Sequence, residues 1–261
     1  MGGVTEPASG NAGATESASK GGLPTLSLIL PAYNEEARLP ALLETLATSA
    51  EQAVAGAGYV LREALVVDDG SADRTRAILA EAEPSHPNLR SVLGNGENRG
   101  KGAAIAAGVD RAEGNYVLLA DVDLSTPLEE LPKLGRAIES GADIAIGSRA
   151  LDRSVVDRGP GHRKLMGRAF NRAVRTMTGL ELRDTQCGFK LMPTAIAGEL
   201  LAEQTCPGFS FDVEMLMRAD RAGLRIAEVP VIYIHDDRSR VRAVSSSYKM
   251  LRDVAGLARR V

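Results

Sequence analysis

The sequence predicts an α/β fold with a mostly parallel, Rossmann-like β-sheet flanked by helices. Two observations support this prediction. Short apolar runs alternate with helix-length amphipathic segments from residue 24 to about residue 150, and polar side chains follow directly after four of the apolar runs. Strands that alternate with helices form right-handed βαβ units, so successive strands lie parallel and end at one edge. The 261 residues are enough for one large domain of this kind.

The predicted strands are short apolar runs bounded by polar residues, glycine or proline. They span residues 26–30, 63–67, 89–93, 116–120, 143–146 and 229–234. Pro230 has no backbone N–H to donate to a neighbouring strand, which favours an edge position for the last of them.

The predicted helices repeat apolar residues at helical spacing. They span residues 39–54, 73–83, 101–112 and 128–140. Ser71 or Asp73 lies near the start of the second helix, where a short polar side chain can cap it. Residues 150–175 are rich in arginine and carry an apolar helical stripe. They predict either an amphipathic surface helix or a basic face for phosphates or anionic lipid.

The two ends of the chain differ from the central domain, residues 24–238. Residues 1–23 are mostly small and polar and predict a disordered tail. Residues 239–261 predict a basic amphipathic helix that either packs on the domain or lies on a membrane surface. We expect neither a transmembrane helix nor a signal peptide, because no apolar run is long enough, and we expect a cytoplasmic location.

Composition argues against two classes of function. The net charge of −3, the aromatic content of 3% and the absence of tryptophan argue against a nucleic-acid-binding protein. Cys187 and Cys206 have no metal-ligand spacing around them, which argues against a zinc site. We expect both cysteines to be reduced thiols.

Four polar stretches follow predicted strands and should therefore meet at one edge of the sheet. They are residues 31–36, 68–71, 121–123 and 147–149. Open α/β sheets bind ligands beyond the carboxyl ends of their strands, so the sequence predicts a ligand site there.

Asp121 and Asp123 place two carboxylates one residue apart directly after a predicted strand. Paired carboxylate oxygens suit Mg²⁺ or Mn²⁺ carrying substrate phosphates, and such a cation offsets the repulsion between the acids. The alternative is that Asp123 caps the following helix and Asp121 only ends the strand.

Five motifs, LPAYNEE, VVDDGS, NRGKGAA, DVDLSTP and IAIGSR, occur in this order along the chain. With them the chain resembles the family 2 glycosyltransferases of the GT-A fold. DTQCGFK, FSFDVE and EVPV make it similar to the dolichyl-phosphate β-glucosyltransferase branch, next to the dolichyl-phosphate mannose synthases. The resemblance covers about residues 24–250 and implies a GT-A catalytic domain over residues 24–238.

The resemblance implies a nucleotide-sugar site drawn from these motifs. Its members would be Pro31, Ala32, Tyr33, Glu35, Asp68, Asp69, Lys101, Asp121, Val122 and Asp123. Asp68 and Asp69 match acids that contact the base and ribose. Asn98, Gly100 and Lys101 match a turn near the nucleotide, although a helix start with unusual backbone angles would explain them as well.

The resemblance also implies an acceptor-phosphate site. Arg149 matches an arginine that holds the diphosphate or the acceptor phosphate, a role that suits its forked guanidinium. Arg163 and Lys164 match a basic pair that faces a lipid phosphate, and Ser239 and Arg240 match a loop that closes over the site.

Asp212 and Glu214 are the candidates for a general base, which an alcohol acceptor would require and a phosphate acceptor would not. The alternative is that they orient the acceptor loop. His235 is a candidate third metal ligand, and otherwise the histidines are structural or exposed.

The function implied is inverting transfer of a hexose from a nucleotide-diphosphate sugar, with UDP-glucose first, to a polyprenyl phosphate. It would use Mg²⁺ or Mn²⁺ on Asp121 and Asp123, with peripheral contact at the cytoplasmic face of a membrane. The alternatives are a soluble hydroxyl acceptor and GDP-mannose as donor. A nucleotidyltransferase is disfavoured, because such an enzyme would be expected to have a glycine-rich loop with a basic residue directly after the first strand, and this chain has PAYNEE there. A non-catalytic nucleotide-sugar-binding module is disfavoured, because Asp121, Asp123 and Arg149 are all present.

Overall fold

The structure, a computed structural model, describes residues 22–94, 96–157, 161–234 and 243–258, with the side chains of 156–157, 161–166, 168 and 243–248 not described. Its strands are β1 (Thr25–Ala32), β2 (Val60–Asp68), β3 (Leu89–Leu93), β4 (Tyr116–Leu119), β5 (Ile144–Ser148), β6 (Val155–Asp157), β7 (Lys190–Pro193), β8 (Ile226–Pro230) and β9 (Ile232–Ile234). Its helices are α1 (Leu39–Thr48), α2 (Ala50–Gly56), α3 (Thr75–Ala82), α4 (Lys101–Val109), α5 (Leu131–Glu139), α6 (Gly161–Thr178), α7 (Thr194–Ala202), α8 (Phe211–Arg221) and α9 (Ala243–Leu257).

The main sheet has the order β3-β2-β1-β4-β7-β5-β8, and β7 runs antiparallel to both of its neighbours. The remaining strands are mutually parallel, as the sequence predicted. The strand order reverses between β1 and β4, the position where open α/β sheets bind ligands. Because β7 is antiparallel, its beginning lies at the edge where the other strands end.

The sheet is buried on both faces, which explains why its strands are continuous apolar runs. Along β1, Leu26, Leu28 and Leu30 pack into a core on one face, whereas Ile29 packs into a core on the other. Helices α1, α2, α3 and α5 contribute to the first core, and α4, α6, α7, α8 and α9 contribute to the second. The result is a three-layer arrangement that fixes the carboxyl edge of the sheet.

The predicted elements are confirmed, and two local differences stand out. The predicted helix 39–54 is interrupted at Ser49, which ends α1 and precedes α2. The predicted strand 229–234 divides at Val231, whose N–H donates to Ser148 O (3.3 Å) and whose carbonyl accepts from Val155 N–H (3.2 Å). The chain thereby leaves the main sheet and pairs with β6 in a two-stranded ribbon. Pro230 lies in the edge strand β8, as predicted.

The C-terminal helix α9 packs on the domain, which favours the first of its two predicted alternatives. It contacts α6 and α8, and Val254 and Leu257 are buried in the second core. Within the part of the chain that the structure describes, no helix combines the length and the apolar character of a membrane span.

Candidate active site

The predicted polar stretches meet at the carboxyl edge. Asp69 N–H donates to Ala32 O (2.8 Å), and Asn34 N–H donates to Ser71 Oγ (2.8 Å), so the loops after β1 and β2 are joined. Lys101 Nζ donates to Asp121 Oδ1 (2.7 Å), which joins the start of α4 to the end of β4. The convergence of these loops confirms the central prediction of the sequence analysis.

The loop after β1 contains four residues that the resemblance assigns to nucleotide binding. Pro31 and Ala32 still belong to β1, and the side chain of Tyr33 is 46% exposed at the edge. Glu35 accepts two hydrogen bonds from Arg38 Nη1 (3.0 and 2.9 Å). Sequence reasoning missed Asn34, whose positive φ of 55° and side-chain bond to Ala72 N–H shape this loop.

Asp68 and Asp69 accept hydrogen bonds that hold the loops at the carboxyl edge of the sheet in place. Asp68 is fully buried, and its carboxylate accepts from Ser71 N–H (3.0 Å) and from Arg76 Nη2 (3.0 Å). Arg76 was not predicted, and only its position eight residues after Asp68 in the next helix could have indicated it.

Asp69 organises the glycine-rich turn before α4. Its two oxygens accept from Arg99 N–H (2.8 Å) and Gly100 N–H (2.7 Å). Gly100 has a φ of 105°, and an added Cβ would lie 2.6 Å from Pro207 O. The helix-start explanation of this turn is therefore correct, and it also delivers Lys101 to Asp121.

The acid pair lies at the end of β4 in two different environments. Burial favours a higher pKa for Asp121, but the Lys101 ammonium outweighs it and holds that pKa below its ordinary value. Burial and repulsion from Asp121 raise the pKa of Asp123. Asp123 Oδ1 accepts from Ser125 N–H (3.0 Å), which closes an Asx turn and does not cap the following helix, because no side chain caps the short helix Leu128–Glu130 or α5.

The acid pair fits a divalent cation. Asp123 is partly buried, and although Ser125 donates to it and the charge of Arg38 favours its ionised form, its pKa stays raised, so a divalent cation would stabilise that form further. No three Asp, Glu, His or Cys side chains cluster as a metal site among the described residues. Oxygen atoms of a bound diphosphate would therefore complete the coordination, as Mg²⁺ and Mn²⁺ commonly allow.

Val122 lies between the two acids in a tight turn, which Leu124 N–H closes by donating to Asp121 O (2.9 Å). Its side chain is only 4% exposed and packs into the first core. A contact of Val122 with a nucleotide, which the resemblance implies, would therefore be made by its backbone.

Arg149 is held in a forked ion pair directly after β5. Its Nε and Nη2 atoms donate to the two oxygens of Asp184 (2.7 and 2.9 Å). The Tyr233 ring lies against the guanidinium, 5.1 Å from ring centroid to Cζ. The ionised carboxylate of Asp184 holds the pKa of Arg149 well above its ordinary value despite burial.

The motif DTQCGFK supports several of these side chains, because it leads into β7 at the carboxyl edge. Asp184 binds Arg149, Lys190 binds Asp212, and Gly188 lies against Asp121. An added Cβ on Gly188 would come within 2.8 Å of Asp121 Cγ. Sequence reasoning used this motif only to identify a family branch and missed its contacts.

Gly188→Ala is expected to displace Asp121 and weaken the binding of Mn²⁺ with a nucleoside diphosphate. A displacement of about 1 Å in a catalytic group costs about 100-fold in rate, and we expect a loss of that order in sugar transfer. Calorimetry with Mn²⁺ and UDP measures the binding effect. Gly198→Ala in α7 is the matched control, since an added Cβ meets no atom within 4 Å there. Unchanged binding in Gly188→Ala would contradict this packing argument.

Asp212, one of the two candidate bases, is buried against a lysine. Asp212 Oδ1 accepts from Lys190 Nζ (2.5 Å), and Lys190 also donates to Cys187 O (2.5 Å). Asp212 is 3% exposed and Lys190 is fully buried. Although burial opposes this, the charge of Asp212 also helps to raise the pKa of Lys101, so Asp212 lies just beneath the carboxyl edge, with Oδ1 bound to Lys190.

Glu214, the other candidate base, binds the loop before α8. Its oxygens accept from Thr205 N–H (2.8 Å), Cys206 N–H (2.7 Å) and Arg218 Nη2 (3.0 Å). Burial raises the pKa of Glu214, but these donors prevail and lower it overall. The structure thus favours the loop-orienting role over the general-base role for Glu214.

Glu214→Gln is expected to destabilise the fold at neutral pH. A carboxyl with a lowered folded-state pKa stabilises fully above its ordinary pKa of 4.5 and loses that contribution as pH falls through the folded value. The difference in unfolding free energy between wild type and variant should therefore shrink below about pH 4.5. Denaturant unfolding at several pH values measures this difference. Glu203→Gln removes the exposed partner of Arg218 and is the control. A difference that is independent of pH would contradict the assignment.

Several predicted residues cannot be placed by side chain. Arg163 and Lys164 lie in α6, where their side chains are not described. Ser239, Arg240 and His235 lie outside the described residues. Their assignments stay predictions.

The chain matches the family model for Glycosyl transferase family 2 over residues 27–201. Among curated proteins, it is 36% identical to the dolichyl-phosphate β-glucosyltransferase of Drosophila melanogaster over 237 residues, which cover 88% of this chain and 73% of the relative. It is 30% identical to the human dolichyl-phosphate β-glucosyltransferase, with 88% of this chain and 73% of the relative covered.

Among solved structures, the fold is similar to glucosyl-3-phosphoglycerate synthase from Mycobacterium tuberculosis. Its complex with phosphoglyceric acid aligns with a TM-score of 0.64 and 23% identity over 90% of this chain and 79% of that chain. A complex of the same enzyme with Mn²⁺, UDP and glucosyl-3-phosphoglycerate aligns with a TM-score of 0.60 and 21% identity, covering 90% and 78%. These similarities show a GT-A glycosyltransferase fold.

Proposed function

The chain belongs to glycosyl transferase family 2, and on that basis we propose that it transfers glucose from UDP-glucose to a polyprenyl phosphate of the dolichyl type. Transfer proceeds with inversion of configuration. The curated relatives are named dolichyl-phosphate β-glucosyltransferases, which supports both the sugar and the acceptor class. The reaction takes place at the cytoplasmic face of a membrane, which the enzyme contacts peripherally.

The donor lies across the carboxyl edge of the sheet. Tyr33 is exposed at this edge, where a base can stack on its ring, and Asp69, which is 7% exposed, is the acid that a ribose hydroxyl can reach, because Asp68 is fully buried. The diphosphate lies near Asp123 and Lys101, because these groups surround the point where the strand order reverses.

Asp123, assisted by Asp121, would hold Mg²⁺ or Mn²⁺ together with the diphosphate. When bound, the cation supplies Lewis-acid stabilisation of charge on the leaving diphosphate. Arg149 contributes hydrogen bonds to developing negative charge from its Nη1 edge, which the fork with Asp184 leaves available. Lys101 keeps the Asp121 carboxylate oriented toward this centre.

The observation that carries the proposal is that both candidate bases are committed to structural contacts. Asp212 is buried on Lys190, and Glu214 is held by the Thr205–Cys206 backbone and Arg218. An alcohol acceptor needs a base to take its proton, whereas a phosphate oxygen is already anionic at neutral pH. The described site therefore suits a phosphate acceptor better than a hydroxyl acceptor.

The experiment is a panel of labelled donors and acceptors with the purified full chain and Mn²⁺ or Mg²⁺. UDP-glucose and GDP-mannose are each combined with a polyprenyl phosphate and, as matched control, with the corresponding polyprenol. We expect a chloroform-soluble labelled product only from UDP-glucose and the phosphate. Equal product from the polyprenol would favour a hydroxyl acceptor, and product from GDP-mannose alone would favour a mannose synthase. No product in any combination from folded protein would contradict the proposal.

A further inference from the structure

The structure assigns Asp184 and Glu228 as positioning residues that act on Arg149, and neither as a general base. The inference concerns two motifs that the sequence analysis used only to identify a family branch, DTQCGFK and EVPV. It rests on the proposed function for its catalytic consequence, but its geometry stands on contacts among described residues.

Asp184 is bound to Arg149 by three hydrogen bonds. The side-chain Nε and Nη2 atoms of Arg149 donate to the two carboxylate oxygens, and the backbone N–H of Arg149 donates to Oδ2 (3.0 Å). Fork-to-fork pairing fixes the plane of a guanidinium as well as its position. The direction of the remaining Nη1 edge of Arg149 is therefore set by Asp184.

Asp184 itself is unsuited to proton transfer. It is 1% exposed, and its Oδ1 also accepts from Gln186 N–H (3.2 Å). The Arg149 guanidinium holds the pKa of Asp184 below its ordinary value although burial opposes this. A carboxylate with this set of partners orients a neighbour, because no substrate proton can approach its oxygens.

Glu228 fixes the backbone that carries Asp184. Its two carboxylate oxygens accept from Arg183 N–H (3.0 Å) and Asp184 N–H (2.7 Å). Glu228 lies in β8 opposite Ile146 of β5, the strand that ends directly before Arg149. Glu228 of β8 thus binds Asp184, and Asp184 binds Arg149 at the end of the adjacent strand β5. We call these three residues the Arg149 relay.

Tyr233 completes the enclosure of Arg149 from the ring face. β9 is tied to the loop after Asp123 by the bond from Ile234 N–H to Ser125 O (2.7 Å). Arg149 is therefore held edge-on by Asp184 and face-on by Tyr233. The relay provides preorganised N–H donors, which stabilise transition-state charge without reorganising during the reaction.

Asp184→Asn tests the relay through activity. Asparagine keeps the size of the side chain but loses the charge and one acceptor for the fork, so Arg149 should turn away from its productive direction. We expect turnover at saturating substrates to fall about 100-fold. In an Arg149→Ala background, the same change should add no more than about threefold, because residues that act as a unit are not additive. Losses that multiply in the double variant would overturn the inference.

A second measurement does not depend on activity. In ¹⁵N–¹H spectra, the Arg149 Nε–H resonance, identified by its loss in Arg149→Lys, should be protected from solvent exchange in wild type and unprotected in Asp184→Asn. Asp143→Asn is the matched control, because Asp143 likewise accepts from a backbone N–H and lies 3.7 Å from the guanidinium of an arginine, Arg225, at an exposed position. An unchanged Arg149 resonance in Asp184→Asn would overturn the inference.

Glu228→Gln covers the case in which Asp184→Asn fails to fold. Glutamine retains one oxygen for the two N–H groups, so we expect a smaller loss of turnover, about 10-fold, and partial loss of Nε–H protection. Wild-type turnover and protection in a folded Glu228→Gln variant would contradict the relay. If wild type itself transfers no sugar to a polyprenyl phosphate, the proposed function fails, while the spectroscopic comparison still decides the relay.

Discussion

Asp123→Asn is expected to lower sugar transfer about 1,000-fold, equivalent to about 4 kcal/mol of barrier, without unfolding the protein. The asparagine oxygen can still accept from Ser125 N–H, which Asp123 Oδ1 binds at 3.0 Å. The variant therefore keeps this turn hydrogen bond and removes the negative charge that a divalent cation would bind. Initial rates with saturating donor and acceptor, together with the thermal midpoint, measure the two properties separately.

The physical basis of this expectation is the imbalance of charge between the two acids. Lys101 neutralises Asp121, whereas burial and the neighbouring Asp121 raise the pKa of Asp123. A raised pKa means that the folded protein does not by itself stabilise the ionised form of Asp123. A divalent cation supplies the missing charge, so affinity for Mn²⁺ in the presence of UDP should fall together with the rate.

Two further variants control this test. Asp123→Ala removes both the charge and the hydrogen bond to Ser125 N–H, so its additional loss of stability over Asp123→Asn reports that bond, about 1 kcal/mol. Asp143→Asn changes a carboxylate distant from the carboxyl edge and should retain wild-type transfer. Retention of more than a tenth of wild-type activity by Asp123→Asn would exclude metal-assisted transfer through this residue.

The parallel part of the fold was predictable because each strand carries its own signal. A continuous apolar run such as LSLIL indicates burial on both faces, and a polar stretch after it indicates the carboxyl edge. Asp121, Asp123 and Arg149 were selected in this way, whereas Lys101 came only from the resemblance, and the structure brings all four to one edge. The identity of the metal and of the sugar does not follow from this pattern, since it defines only where the site lies and which types of side chain line it.

The antiparallel strand β7 and the contacts before it were not predictable from periodicity. β7 has only four residues, Lys190–Pro193, and its first residue is a lysine, which argues against a buried strand. Lys190 is tolerated in the core only because Asp212, 22 residues later, supplies its counter-charge. Pairing across such a distance is a tertiary effect, so no local pattern reveals it. The contacts of Asp184 with Arg149 and of Gly188 with Asp121, in the same segment, were missed for this reason.

Lys190→Met is expected to destabilise the fold by about 3–5 kcal/mol, the usual cost of leaving one member of a buried ion pair without its partner. Lys190 is fully buried and Asp212 is 3% exposed, so water cannot solvate the carboxylate that the substitution leaves behind. For a domain of this size, the loss corresponds to a fall of roughly 10 °C in the thermal midpoint. Calorimetric unfolding measures it directly.

The double variant Lys190→Met with Asp212→Leu separates the cost of an unpaired charge from the loss of packing. Removing both charges should restore part of the stability, because apolar side chains of similar size can replace a buried ion pair at little cost. Arg62→Met is the control, since its ion pair with Glu113 is exposed on both sides and should leave the midpoint nearly unchanged. If Lys190→Met unfolds at the wild-type temperature, the buried pair is not what holds β7 to α8. Asp212 would then regain its place as a candidate base, because a carboxylate released from Lys190 could accept a proton from an alcohol.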